Sequence, residues 1–207
     1  MMKKMKLAAV VVMLTMVTAV SAQVNLGIKG GVNMSNLVYD DEVDDQNPKI
    51  GFNVGLALDY EFMPSSAIQT GLFFTTKGFK AENTSLDVEY TENLMYLQIP
   101  VHYAYKADIT PATRIVLHAG PYIAYGVGGS RKVDVGNLSE EWDVDDIFGD
   151  EVRQYDAFDA GLGLGVGAEF GSFLLDLGWD LGLVNISNAD NGNVKNQNAY
   201  LSVGFRF

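Results

Sequence analysis

The chain contains no cysteine, and only two histidines and five prolines among its 207 residues. Without thiols it can carry neither disulfides nor a lipid-modified cysteine. Basic residues are scarce as well: fourteen Lys and Arg stand against twenty-six Asp and Glu, a formal charge of −12. That imbalance argues against nucleic acid as a partner, because phosphate binding needs a basic surface. No convincing helix-period run follows residue 22, so the twenty-two glycines and plentiful Tyr, Phe and Val point to strands.

The first residues read as an export signal. Lys3, Lys4 and Lys6 form a basic region, Leu7 to Val20 an apolar stretch, and Val20-Ser21-Ala22 a small-residue cleavage site before Gln23. The apolar stretch falls short of the roughly 20 residues that a spanning helix needs. Cleavage after Ala22 is therefore expected, giving a signal peptide over 1–22 and one mature domain over 23–207. It removes three lysines and moves the formal charge from −12 to −15.

Eight stretches alternate apolar and polar residues with period two, the mark of strands whose faces meet different media. They lie at about 24–35, 50–62, 67–80, 92–106, 114–128, 157–170, 173–184 and 196–207. From Ile50 to Phe62 every even position is apolar and the odd ones are Gly, Asn, Ala, Asp or Glu. The last strand ends the chain on Phe207, with Ala199, Leu201, Val203 and Phe205 on the same face. Links after the first, third, fifth and seventh strands are long (36–49, 81–91, 129–156 and 185–195). Those after the second, fourth and sixth are short. This alternation predicts an eight-stranded antiparallel up-and-down transmembrane β-barrel in the outer membrane of a Gram-negative bacterium, short turns and both termini facing the periplasm.

A soluble lipocalin-like barrel would instead carry its apolar residues inside. Here the polar face holds glycine and charges of both signs: Lys29, Asp59, Glu61, Lys77, Arg114, Asp159, Glu169, Asp176 and Arg206. Glycine weakens an outer surface but makes room in a narrow lumen, so the apolar face is expected to point outward to lipid. Tyr60, Phe62, Tyr103, Tyr105, Phe170, Phe173, Phe205 and Phe207 share that parity near the short turns and predict one aromatic girdle. Four inward glycines at 161, 163, 165 and 167 are expected to leave space for bulky neighbours such as His118 and Tyr122. Pro100 and Pro121, lying inside paired strands, predict a bulge or kink at each.

Several segments resemble the PorT-like family of small outer-membrane β-barrel proteins. They are LGIKGGVNMSN after the export signal, YLQIPVHYAYK at 96–106, HAGPYIAYG at 118–126, YDAFDAGLGLGVGAEF from Tyr155, GLVNIS at 182–187 and the closing LSVGFRF. The resemblance implies the barrel fold and the outer-membrane location, and a link to protein secretion through the member that gave the family its name.

Candidate chemistry is sparse. Gly163-Leu164-Gly165-Val166-Gly167-Ala168 matches a dinucleotide fingerprint by letter, but that motif must join a strand to a helix, and these glycines lie within a strand. Membrane-embedded enzymes place a base beside a nucleophile near the outer rim, whereas His102 and His118 both fall in the periplasmic halves of their strands. No catalytic, cofactor-binding or metal-ligating residue is assigned, and the chain reads as not an enzyme. The two histidines are equidistant from a turn centred near Thr110 and are expected to be direct cross-strand neighbours in the lumen. Such a pair could hold a metal or sense pH, yet no sequence-near carboxylate or thiol completes a zinc site. Hydrogen bonds to Asp59, Glu169, Asp176 or Tyr122 are the simpler expectation.

Acidic residues crowd the first long link (Asp40, Asp41, Glu42, Asp44, Asp45) and the third (Glu140, Glu141, Asp143, Asp145, Asp146, Asp150, Glu151). These carboxylates could bind divalent cations such as Ca²⁺, although Gly149 is misplaced for an EF-hand; a hydrated charged surface is the simpler reading. Eight strands enclose a lumen that side chains fill. The functional expectation is thus a non-enzymatic platform for outer loops, in envelope structure, adhesion or assistance to protein secretion. The alternative is a narrow porin-like channel for ions or small solutes; a membrane-embedded enzyme or a soluble binder ranks below both. Lipid and envelope or secretion-machinery proteins are the expected partners.

Overall fold

The computed structural model describes residues 24–39, 46–83, 88–135, 138–143, 147–149, 154–188 and 193–207. The signal segment and most of the loop acids, Asp40 to Asp45 among them, lie outside these residues. Nine strands occur among the described residues: β1 (Val24–Tyr39), β2 (Gln46–Met63), β3 (Ser66–Asn83), β4 (Val88–Thr110), β5 (Thr113–Val135), β6 (Leu138–Asp143), β7 (Phe158–Phe170), β8 (Phe173–Gly182) and β9 (Val194–Arg206). No helix is found among the described residues. All strands but β6 form a closed antiparallel ring, β4-β3-β2-β1-β9-β8-β7-β5, which closes through β4–β5. Closure leaves no sheet edge exposed to lipid, which is what a membrane-spanning sheet requires.

The ring is inside-out relative to a soluble domain. Ile50 is 73% exposed and Phe207 77%, and Leu56, Leu177 and Val203 are exposed beside them. Inside lie Lys77 and Lys106, both 0% exposed, with Asp159, Asp176, His102 and His118. The period-two parity of every ring strand therefore separates lipid face from lumen as the sequence predicts. Two aromatic clusters mark the short-turn rim: Tyr60–Phe62–Tyr103, with 6.4 Å between successive centroids, and Phe173–Phe205–Phe207 at 5.5 and 6.0 Å. Short turns of two residues join β2–β3, β4–β5 and β7–β8; at the last, Gly171 takes φ +59°, the left-handed geometry of a tight hairpin.

Three expectations need correction. First, β1 to β5 run past their expected ends, and the predicted third loop (129–156) contains the upper part of β5 and the whole of β6. Above the lipid a ladder needs no apolar face, so the hydropathy pattern stops before the hydrogen bonds do. Second, neither proline makes a bulge: Pro100↔Tyr122 and Tyr103↔Ala119 keep one register, as do Pro121↔Leu162 and its neighbours. A Cβ at Gly120 would run into the Val101 carbonyl, so the strands close up beside the proline instead of adding a residue. The shifts of register in β4–β5 occur at Met95/Tyr96 and Asp108/Thr110. Third, the hairpin turn is Pro111-Ala112 and the register shifts by one residue between Asp108 and Thr110, so His118 stands opposite Ala104 and not opposite His102.

Candidate functional site

The lumen has a floor, a middle and a roof. At the short-turn end the floor is a network of opposite charges. Lys106 Nζ lies 2.8 Å from carboxylate oxygens of Asp59, Glu61 and Glu169. Arg114 donates to Glu61 at 2.7 and 3.0 Å and to Glu169 at 2.8 Å, and Arg206 reaches Glu169 at 3.2 Å. One buried ammonium shared by three carboxylates from β2 and β7 ties opposite sides of the ring together. Removing either sign would leave uncompensated charge out of water.

The middle carries the histidines. Glycines at 163 and 165 make the room: an added Cβ would stand 2.6 Å from His102 Nε2 and 2.5 Å from His118 Nε2 respectively. Gly161 does the same for Tyr122, at 2.7 Å. The predicted role of the glycine run thus holds, with His102 as a further occupant. Although two residues out of direct register, the histidines touch: Nδ1···Nδ1 is 3.0 Å, with centroids 5.1 Å apart and ring planes 13° from parallel. The centroid separation exceeds the nitrogen distance by nearly the two ring radii, so the rings lie edge to edge and share one hydrogen bond. His118 Nε2 meets Asp176 Oδ1 at 2.8 Å, and Asp176 Oδ2 meets Lys29 Nζ at 2.8 Å. Asp176 is the partner among those expected. Around these groups is a cavity of about 100 Å³ that extends from Arg206 and Glu169 up to Gln98 and Asp180.

Above the cavity Lys77 bonds Asp159 at 3.0 Å, both side chains 0% exposed. Its ammonium also stands 4.6 Å from the Tyr122 ring centroid and 5.2 Å from that of Tyr96, a cation–π contact on each side. The roof is apolar: Leu37, Phe79, Leu94, Tyr96, Ile147, Ile186 and Val194 form one buried cluster, against which Phe148 and Tyr155 pack. Phe148 meets Tyr96 edge-on at 5.3 Å. Backbone bonds hold these loop segments in place: Tyr155 N to Ile147 O, Asp156 N to Ile186 O and Ile186 N to Val194 O, each 2.9 Å. Sequence reasoning missed the roof, since Ile147 and Ile186 are lone apolar residues inside links and carry no period.

The two histidines provide no nucleophile–base pair: each is bonded to the other, and His118 is further engaged by Asp176. Of the loop acids, Glu140 lies exposed on β6. The rest of that set has no described side chain.

A family model, outer membrane protein beta-barrel domain, matches residues 19–188. No curated protein matches the chain. Among solved structures it is similar to Ail, the attachment invasion locus protein of Yersinia pestis, in complex with the heparin analogue sucrose octasulfate (19% identity, 89% of this chain and 99% of that one, TM-score 0.44). It is also similar to Neisserial surface protein A (13%, 88% and 97%, 0.45). A third is a major outer membrane protein of Thermus thermophilus (14%, 89% and 99%, 0.48).

Proposed function

Because the chain belongs to the outer membrane protein beta-barrel domain family, we propose that it is a closed outer-membrane barrel serving as a rigid, non-enzymatic platform for its long loops. The single observation behind this reading is double closure of the lumen: the Lys106–Glu169 ion network at one end and the Ile147–Ile186 roof at the other. Cross-ring contacts of this kind stiffen a scaffold, and a stiff scaffold with long loops commonly uses the loops for contact with partners. Closure also speaks against the narrow-channel alternative. The remaining expectations belong to the same reading: export with cleavage after Ala22, short turns toward the periplasm, and a role in envelope structure, adhesion or assistance to protein secretion.

Two experiments test it. A deletion strain is scored for secretion, serum sensitivity and adhesion. It is then complemented with a barrel whose long links are replaced by short turns and whose strands are intact. The platform reading expects the defect to persist with the trimmed barrel; full rescue by strands alone would contradict it. Amino-terminal sequencing of the mature protein should begin at Gln23, and an intact Met1 would contradict the export reading.

A further inference from the structure

Asp180, on β8, is 3% exposed. It accepts hydrogen bonds from Gln98 Nε2 at 2.9 Å and from Asn198. Among the described residues no cationic side chain lies within ion-pair distance of it. The other lumen carboxylates differ in this respect: Asp59, Glu61, Asp159, Glu169 and Asp176 each have a Lys or Arg partner. Lys77 acts on it only through space, its ammonium being bonded to Asp159, and a buried carboxylate with no direct ion-pair partner is costly unless something positive reaches it.

Beside it stands a bare nitrogen. With both imidazoles neutral, the hydrogen-bond chain sets their tautomers in sequence. Asp176 can only accept, so His118 donates from Nε2 and leaves Nδ1 as an acceptor. His102 then donates from Nδ1, and its Nε2 is left with a free lone pair. That atom is buried, in a residue 4% exposed, and has no hydrogen-bond partner. Gln98 Oε1 is likewise buried and without one, its amide being oriented by the bond to Asp180. The position of a Cβ on Gly163 is 2.6 Å from His102 Nε2 and 2.8 Å from Asp180 Oδ1. The two donor atoms therefore pack over the same glycine.

We infer that His102 Nε2, Asp180 Oδ1 and Gln98 Oε1 form a binding site for a single first-row divalent cation of Zn²⁺ type, completed by water from the cavity. The imidazole selects for such a cation and a carboxylate is an ordinary ligand of it, with the amide oxygen as a weaker third donor; three protein donors plus water is a usual open site. No three His, Asp or Glu side chains converge among the described residues, so the third donor is an amide. The relay through His118 to Asp176 is the outer-sphere support that orients a ligating histidine and raises its basicity. Because Nε2 already carries no proton, binding displaces none from the ring. The cavity that is lined by Gln98, His102 and Asp180 holds the water that completes the site. This carboxylate lies seventy-eight residues from His102 in the chain, which is why inspection of sequence-near residues does not find it.

The test uses the refolded full barrel, its fold verified by heat-dependent gel mobility. Zn²⁺ is titrated by calorimetry, alongside ¹⁵N spectra of the histidine rings. One saturable equivalent is expected, with a shift of the His102 Nε2 resonance while its Nδ1 stays protonated. His102→Gln and Asp180→Asn should abolish that equivalent, and Gly163→Ala should do so by pressing a methyl group on both donors. His118→Asn, acting only through His102, should weaken binding roughly 10–100-fold. Absence of saturable uptake overturns the site, as does uptake unchanged in His102→Gln and Asp180→Asn, which would place the ion on loop carboxylates. A protonated His102 Nε2 insensitive to Zn²⁺ also overturns it.

Discussion

The two ends of the lumen are closed by opposite means. The floor is charge against charge on strand residues: Lys106, Arg114 and Arg206 facing Asp59, Glu61 and Glu169. The roof is hydrocarbon against hydrocarbon, and much of it comes from links: Ile147, Phe148 and Ile186 over Leu94 and Tyr96. The floor residues belong to the ring itself, so disturbing them disturbs strand pairing. Roof residues hang from the ring by loops, so disturbing them opens one end and leaves the barrel standing. Closure by charge is thereby tied to global stability, and closure by apolar packing to local stability.

The largest expected effect tests the floor. Lys106→Met leaves Asp59 without its ion-pair partner and Glu61 and Glu169 with only the guanidinium groups of Arg114 and Arg206, and should destabilise the barrel by about 3–5 kcal/mol. Urea unfolding followed by tryptophan fluorescence reads this as a lower midpoint of the whole transition. An unchanged midpoint would mean that the floor network is not coupled to the ring.

Next in size is the roof. Ile147→Ala or Ile186→Ala should cost about 2–5 kcal/mol of packing, but locally. Hydrogen exchange at the amides of Tyr155 and Ile186 should accelerate strongly while the urea midpoint stays near that of the parent chain. A midpoint falling as far as that of Lys106→Met would erase the distinction between the ends.

Gly165→Ala sharpens the comparison by probing the middle. The new methyl group would press on the His118 ring and on the Leu177 carbonyl, 2.7 Å from the Cβ position. A cost of about 1–3 kcal/mol is expected, as for other overpacked interiors, again from the unfolding midpoint. The smallest effect belongs to the short-turn rim: Phe173→Ala loses its ring contact to Phe205, about 0.5–1.5 kcal/mol beyond area.

Much of this division can be read from residues alone. Period-two alternation records which medium each face meets, so Ile50 to Phe62 discloses its lipid side without any structure. The glycines of β7 disclose where large lumen side chains go, because space for a ring requires a missing Cβ nearby. Parity places Lys106, Glu169 and Asp176 inside, but which charge meets which depends on strand stagger, and a two-residue error in the β4–β5 turn moves His118 from His102 to Ala104. At Gly78, φ is +140° and the β2–β3 register shifts between Pro48 and Asn53; past this glycine Phe79 keeps the inward parity of Thr75 and Lys77 and joins the roof, an aromatic where lumen parity leads one to expect a polar group. The roof and β6 stay hidden, since lone apolar residues in polar links have no pattern to read.

The central claim is that both closures hold at once, and single-barrel recordings in planar bilayers test it most directly. The expected result is no stable conductance for the parent protein. Reproducible open channels that pass ions or sugars would contradict a lumen closed by Lys106 below and Ile147 above.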